Sequence, residues 1–259
     1  MSTRPAVVAG QFYPGDPDVL SRDLNKMLHD ALTPSLDPKA LIAPHAGYIY
    51  SGPIAATAYN AIKKSAGRIT RVVLLGPSHR VAFQGIATPG CDSFQTPLGR
   101  IAVDHNAIEA LGQMACVREL EEAHAKEHSL EVHLPFLQNI LPHFSLVPLV
   151  VGNASADEVA GVLELLWGGP ETLIVISSDL SHFHSYAEAR ELDRDTTRAI
   201  ETFHTDLQGD QACGCRPING LLVAASRRGL TLSTLDVRNS GDTAGGRGEV
   251  VGYGAYALH

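Results

Sequence analysis

Leu41-Ile42-Ala43-Pro44-His45-Ala46-Gly47-Tyr48 is a short apolar run that stops at a proline and opens into a polar cluster. The same design recurs in Val72-Val73-Leu74-Leu75-Gly76-Pro77-Ser78-His79-Arg80 and in Leu173-Ile174-Val175-Ile176-Ser177-Ser178-Asp179-Leu180-Ser181-His182-Phe183-His184. Runs this short, rich in β-branched residues and closed by turn formers, read as strands buried on both faces. Working outward, residues 39–43, 71–75, 146–151, 172–176 and 250–258 read as strands. Between and around them, residues 17–32, 52–64, 106–114, 156–167, 186–203 and 217–227 read as helices, the first with Asp16 as N-cap and Pro17 at its first position. Strands alternating with helices predict an α/β fold, a central mixed or mostly parallel sheet with helices on both faces. No repeat or linker divides residues 1–259, so one domain is expected.

The composition agrees. Hydrophobic residues are 44% of the 259 and charged residues 19%, enough to bury a large core. The net charge is −8, with no basic stripe of the kind that displaces counterions from a duplex, so nucleic acid is not expected as a partner. No apolar stretch is long enough for a membrane span, and residues 1–14 do not resemble a signal peptide. Four cysteines (Cys91, Cys116, Cys213, Cys215) form no secreted-scaffold pattern, which fits a reduced, cytoplasmic setting.

Twelve histidines carry the chemical signal through their placement. Ligands of open α/β sheets bind beyond the carboxyl ends of the strands. If the three runs are parallel neighbours, His45, His79, Asp179 and His182 share one cleft, a donor set that suits iron, zinc, copper or manganese. One histidine at a strand end is unremarkable; three runs built alike, two with prolines that fix the turn, favour a common site. In Glu127-His128-Ser129-Leu130-Glu131-Val132-His133 the two histidines are five apart and on a helix would diverge, so they are not expected to be paired ligands. Supporting or substrate-facing roles for His128, Glu131 and His133 stand beside a purely structural one. Cys213-Gly214-Cys215-Arg216-Pro217 precedes a helix whose positive end, with Arg216, would favour thiolate; a tight turn of small residues is the other reading. Ser78 and Ser181 lack the glycine spacing of a nucleophile elbow, and the glycines of 241–248 match no dinucleotide or phosphate loop, so no nucleotide cofactor is expected.

Taken in order, Pro44-His45-Ala46-Gly47-Tyr48 with Ser51-Gly52, Gly76-Pro77-Ser78-His79, Glu127-His128-Ser129-Leu130-Glu131 with His133-Leu134-Pro135, and Ser178-Asp179-Leu180-Ser181-His182 resemble the Memo family, also called AmmeMemoRadiSam system protein B. Cys213-Gly214 with Pro217-Ile218, Ser240-Gly241-Asp242 and Val251-Gly252-Tyr253 extend the likeness to the C-terminus. The resemblance implies a LigB-like fold, that of the class III extradiol dioxygenases, which hold Fe(II) with two histidines and a carboxylate. Carried over by motif, the metal ligands are His45, His79 and Cys213, the last standing where the dioxygenases have Glu. Asp179 and His182 would line the same pocket as the catalytic pair, with Tyr48 and Arg80 also beside it. A thiolate ligand shifts preference toward copper, zinc or a redox-active iron state, so Fe(II) or copper is favoured over zinc. The function implied is a metal-dependent, dioxygenase-like oxidoreductase on a small molecule. A metal-containing adaptor that uses the pocket for acidic or phosphorylated peptides is the alternative, with Arg80 and Arg216 as anion partners. The family name further implies a functional link to AMMECR1-like and radical-SAM proteins.

Overall fold

A computed structural model of the protein describes residues 2–34 and 36–259. The expected runs form the centre of a nine-stranded sheet. In chain order its strands are β1 (Ala40–Ala43), β2 (Arg71–Pro77), β3 (Ile86–Thr88), β4 (Val117–Glu119), β5 (Ser145–Val151), β6 (Thr172–Ser177), β7 (His182–His184), β8 (Leu232–Asn239) and β9 (Val250–Leu258). Across the sheet they run β7-β9-β1-β6-β2-β5-β3-β4, with β8 also paired to β9. Pairs β1–β6, β6–β2 and β2–β5 are parallel, whereas β9 is antiparallel to β1 and β3 is antiparallel to β5. The sheet is therefore mixed with a parallel heart. A smaller sheet joins Thr3–Arg4, Ser93–Thr96 and Gly99–Ala102.

Alternation along the parallel strands divides the core in two. Leu41, Ala43, Val72, Leu74, Leu173 and Val175 face one layer, which includes Leu20, Leu24 and Leu28 of α1 (Pro17–Asp30) and Ile54 and Ala58 of α2 (Tyr48–Asn60). Ala40, Ile42, Val73, Leu75, Ile174 and Ile176 face the other, with Val159 and Leu163 of α3 (Ala156–Leu166), Ile200 of α4 (Tyr186–Glu201) and Leu221 of α5 (Cys215–Arg227). Strands sandwiched in this way are apolar on both sides, which is why they read as continuous runs. Each leucine so buried is stabilised by about 2 kcal/mol relative to exposure. Asp16 caps α1 through the amides of Asp18 and Val19, with Pro17 in its first turn.

Local chemistry sets one segment to which the sequence assigned no element and two places where the structure differs from the expectation. The 128–133 stretch is not a helix: a turn leads into a 3-10 turn at Glu131–His133, and the α-helix Leu134–Ile140 starts only there, with Pro135 tolerated in its first turn. Helix α5 begins at Cys215 rather than 217. Strand β8 was not anticipated: its residues Leu232 to Asn239 are mostly half-buried, and Ser233-Thr234 breaks the apolar–polar alternation that marks a strand. Among the described residues no helix is long and apolar enough to cross a membrane, and all four cysteines are free.

Candidate metal centre

Because β1, β6 and β2 are adjacent and parallel, their carboxyl ends deliver His45, Asp179 and His79 to one crevice. His182 follows at β7, whose register against β9 shifts between His182 and His184. Phe183, between them, has φ 60° and an outward ring that is 71% exposed.

The donors His45, His79 and His128 present ligand atoms that all lie within 4.8 Å of one another. The rings of His79 and His128 stack with centroids 4.6 Å apart, and His45 meets both edge-on at 5.2 and 5.5 Å. Cys213 Sγ is 3.4 Å from His45 Nε2. Metal–sulfur and metal–nitrogen bonds of about 2.3 and 2.05 Å at a tetrahedral angle place the two donors roughly 3.5 Å apart, so this pair is spaced as co-ligands of one ion would be.

Hydrogen bonds preset the rings. Ser177 Oγ donates to Ser129 O at 2.7 Å, so at 2.6 Å from His45 Nδ1 it accepts the ring proton there and leaves Nε2 as a lone pair toward Cys213. His79 Nδ1 lies 2.9 Å from Glu127 Oε1, and the His79 amide donates to Glu127 Oε2 at 2.6 Å. Burial pushes the Glu127 carboxyl up, but hydrogen bonds and attraction from His79, with the Ser129 amide, outweigh it and hold it at about 2. The ionised carboxylate accepts from Nδ1–H, which frees His79 Nε2 for ligation. Glu127 Oε1 also accepts from the amides of His128 and Ser129, both at 3.0 Å, so one carboxylate organises two of the three imidazoles. Gly76 permits this approach: a Cβ there would stand 2.7 Å from Ser129 Oγ.

Burial first, then mutual repulsion from His79, His128, His133 and His182, keeps His45 neutral far below the usual histidine range. Burial likewise lowers His128 to about 4. Its Nδ1 is buried without a hydrogen-bond partner, sitting 3.4 Å from Glu127 Oε1 out of line. Neutral imidazoles, fixed tautomers and an orphaned ring nitrogen are the properties a divalent cation requires, and the donor set fits one.

Asp179 accepts the His45 amide at 2.8 Å, and its own amide donates to Cys213 Sγ at 3.3 Å. Burial raises its carboxyl to about 7 against the pull of the His45 and Ala46 amides and of His79. The helix-end argument for a ready thiolate at Cys213 is corrected here: burial first, then the Asp179 charge, push the thiol well above its ordinary value. Gly214 is needed beside it, since a Cβ would lie 2.6 Å from that of Ser178. His182 is lowered by burial, by His79 and by His184, against the Leu180 backbone.

The remaining sequence candidates sit further out. The Tyr48 hydroxyl donates to Val132 O at 2.7 Å, within the packed layer of Tyr13 and Phe136. His133 is buried, with Nδ1 2.8 Å from Tyr59 Oη. Glu131 is buried too, accepting from Arg4 Nη1, the Tyr13 hydroxyl and the amides of Val7 and Val8. It clamps the N-terminal segment whose Phe12 packs on His128 with ring centroids 4.9 Å apart. Arg80 is exposed. Glu127 and Ser177 were not singled out from sequence; for Glu127, the acid directly before His128 was the available signal.

The fold and the histidine group thus define an α/β protein with a site able to hold a divalent metal. The chain belongs to the Memo family: residues 4–257 match the model described as Memo-like protein. MEMO1 family proteins of Nitrosopumilus maritimus and Aquifex aeolicus are 32% and 34% identical to it, over 97% and 98% of this chain and 98% of each relative. A crystal structure of an uncharacterized protein, JW3007, from Escherichia coli K12 shares the fold, with a TM-score of 0.53 at 12% identity over 84% of this chain and 98% of that one.

Proposed function

We propose that this protein is a mononuclear metal-dependent oxidoreductase, dioxygenase-like, acting on a small molecule, with His45, His79 and Cys213 as ligands and iron or copper as the metal. The observation that carries it is the 3.4 Å contact of Cys213 Sγ with a His45 ring whose proton is fixed on the opposite nitrogen. When bound, such a metal supplies one-electron chemistry and open positions for substrate and oxygen. Metal binding displaces the thiol proton that burial otherwise retains, so affinity rises with pH. His128 completes the histidine group, as a further ligand or as a donor to substrate. His182 serves as proton carrier at the rim, and Asp179 positions both His45 and Cys213 through their hydrogen bonds.

The test is metal analysis of protein purified without added metal, comparing wild type with His45→Ala, Cys213→Ala and His128→Ala. Loss of metal in the first two, with oxygen uptake by wild type alone on a panel of small aromatic and thiol substrates, is expected. Equal metal in Cys213→Ala and wild type would remove the thiol from the coordination sphere.

A further inference from the structure

Next to the metal centre lies a cavity of about 840 Å³, a size that takes a small organic molecule. It opens beyond the carboxyl ends of β2 and β5, and Pro77, Ser78 and Val151 line it. Cys213 also lines it, which makes the cavity continuous with the edge of the histidine group. At other points of its wall stand Arg118 and Arg216.

The two guanidiniums differ from the other polar groups of the wall. Asn219 is committed in both directions to Leu207, Ser78 donates to Val81 O, and Asn153 donates to Gln84. Arg216 is steadied by one bond from Nη1 to Ala154 O at 3.1 Å, and Arg118 lies over the Phe83 ring at 5.6 Å. Neither has a carboxylate partner among the described residues. Asp206 is the one acid on the wall against these two cations. Helix α5 begins at the same wall, and its N-cap, Gly214, supplies no side-chain acceptor to its first turn. In a chain with net charge −8, two arginines held over a cavity without acidic partners mark a place for an anion.

We infer that this cavity is the substrate chamber of the metal centre, that its ligand is a small organic oxyanion, and that Arg118 and Arg216 bind the anionic end while the other end reaches Cys213. The chamber reading rests on the metal centre proposed above; the oxyanion end does not. Arg118 becomes a specificity residue, contributed by β4 at the sheet margin, far in sequence from any motif of the site.

Isothermal titration of the purified protein with glutarate and with inorganic phosphate tests this, using wild type, Arg118→Gln, Arg216→Gln, His79→Ala and, as a control on the exposed face of α1, Arg22→Gln. Circular dichroism melting confirms that each variant is folded. Saturable binding of at least one probe is expected, weakened about tenfold or more in each cavity variant and unchanged in Arg22→Gln, the usual loss for one charged hydrogen bond. Glutarate binding without phosphate binding assigns a carboxylate end; the reverse assigns a phosphate end. No saturable binding of either probe, or equal affinities in wild type and both cavity variants, overturns the oxyanion assignment. His79→Ala, which removes a proposed ligand and no cavity residue, separates the two proposals: arginine-dependent binding in a wild type that holds no more metal than His79→Ala leaves the oxyanion site standing and removes the metal reading, whereas a wild type that holds metal lost in His79→Ala, with arginine-independent binding, does the reverse.

Discussion

Acid destabilises this protein through two histidines that take no part in the metal site. His124 and His133 are each about 1% exposed. His124 Nε2 donates to Ala87 O at 3.0 Å, while its Nδ1 is buried with no partner. Its own carbonyl accepts from Arg4 Nε at 2.7 Å, so a second proton would also meet a nearby positive charge. His133 has one ring nitrogen on Tyr59 and the other, Nε2, unpartnered. Burial, offset by Ala87 and reinforced by Arg4, lowers His124 from 6.5 to about 4, and burial alone lowers His133 to about 3. Both folded values lie below the unfolded ones, so between about pH 4 and 6.5 the unfolded chain binds more protons and stability falls as the pH falls. At pH 5 each group costs about 2 kcal/mol, close to nothing at pH 7.5, and together they remove about 4 kcal/mol from a total of typically 5–15. Urea unfolding followed by circular dichroism at pH 7.5, 6 and 5 reads this out for wild type and for His124→Leu. The variant starts less stable, because Ala87 loses its donor, and its deficit shrinks by about 2 kcal/mol at pH 5. Titration of the metal-site histidines is common to both proteins and cancels in the difference. A deficit that stays constant from pH 7.5 to 5 refutes the argument.

Removing Arg4 tests the N-terminal clamp. Arg4→Ala strands the buried Glu131 carboxylate, 2.7 Å from the guanidinium in the native protein, and is expected to cost about 3–5 kcal/mol in chemical denaturation; a loss below 1 kcal/mol contradicts a buried ion pair. Glu127→Gln keeps the shape but removes the charge that fixes the His79 proton. It should weaken metal affinity by about 10–100-fold in chelator competition, with little change in melting temperature. Unchanged affinity would make Glu127 a purely structural acid.

Strand ends were legible because they follow a rule visible in one dimension. Leu41 to Ala43, Val72 to Leu75 and Leu173 to Ile176 are apolar at every position, since parallel strands in the middle of a sheet are covered on both faces. Their adjacency, which brings His45, His79 and Asp179 together, was conditional in the sequence and is supplied by the register of β1, β6 and β2. The marginal strands were not legible. Ile86–Thr88 and Val117–Glu119 are three residues each, too short for a period to show, and Arg118 enters the large cavity from the second of them.

The spacing of His128 and His133 and the charges around Cys213 show how far one-dimensional arguments reach at a site. The spacing of His128 and His133 was judged on helical geometry, where five residues send side chains apart. The chain instead turns at 128 and tightens at Glu131–His133, so separation still results, but through different partners: His128 stacks on His79 and His133 binds Tyr59. That turn is held by Glu127, whose carboxylate takes the amides of His128 and Ser129 as well as the ring of His79. Cys213 was judged by its charged surroundings, Arg216 and the start of α5. A helix terminus contributes about 0.3–1 kcal/mol at an exposed position, less than one pKa unit, whereas burial shifts ionisable groups by several units. Burial is a property of the fold around the residue; at Cys213 it tips the balance toward the thiol, and the Asp179 charge adds to it. If Cys213 is the ligand proposed above, a cation has to displace that proton, so burial of the thiol sets the pH dependence of metal affinity.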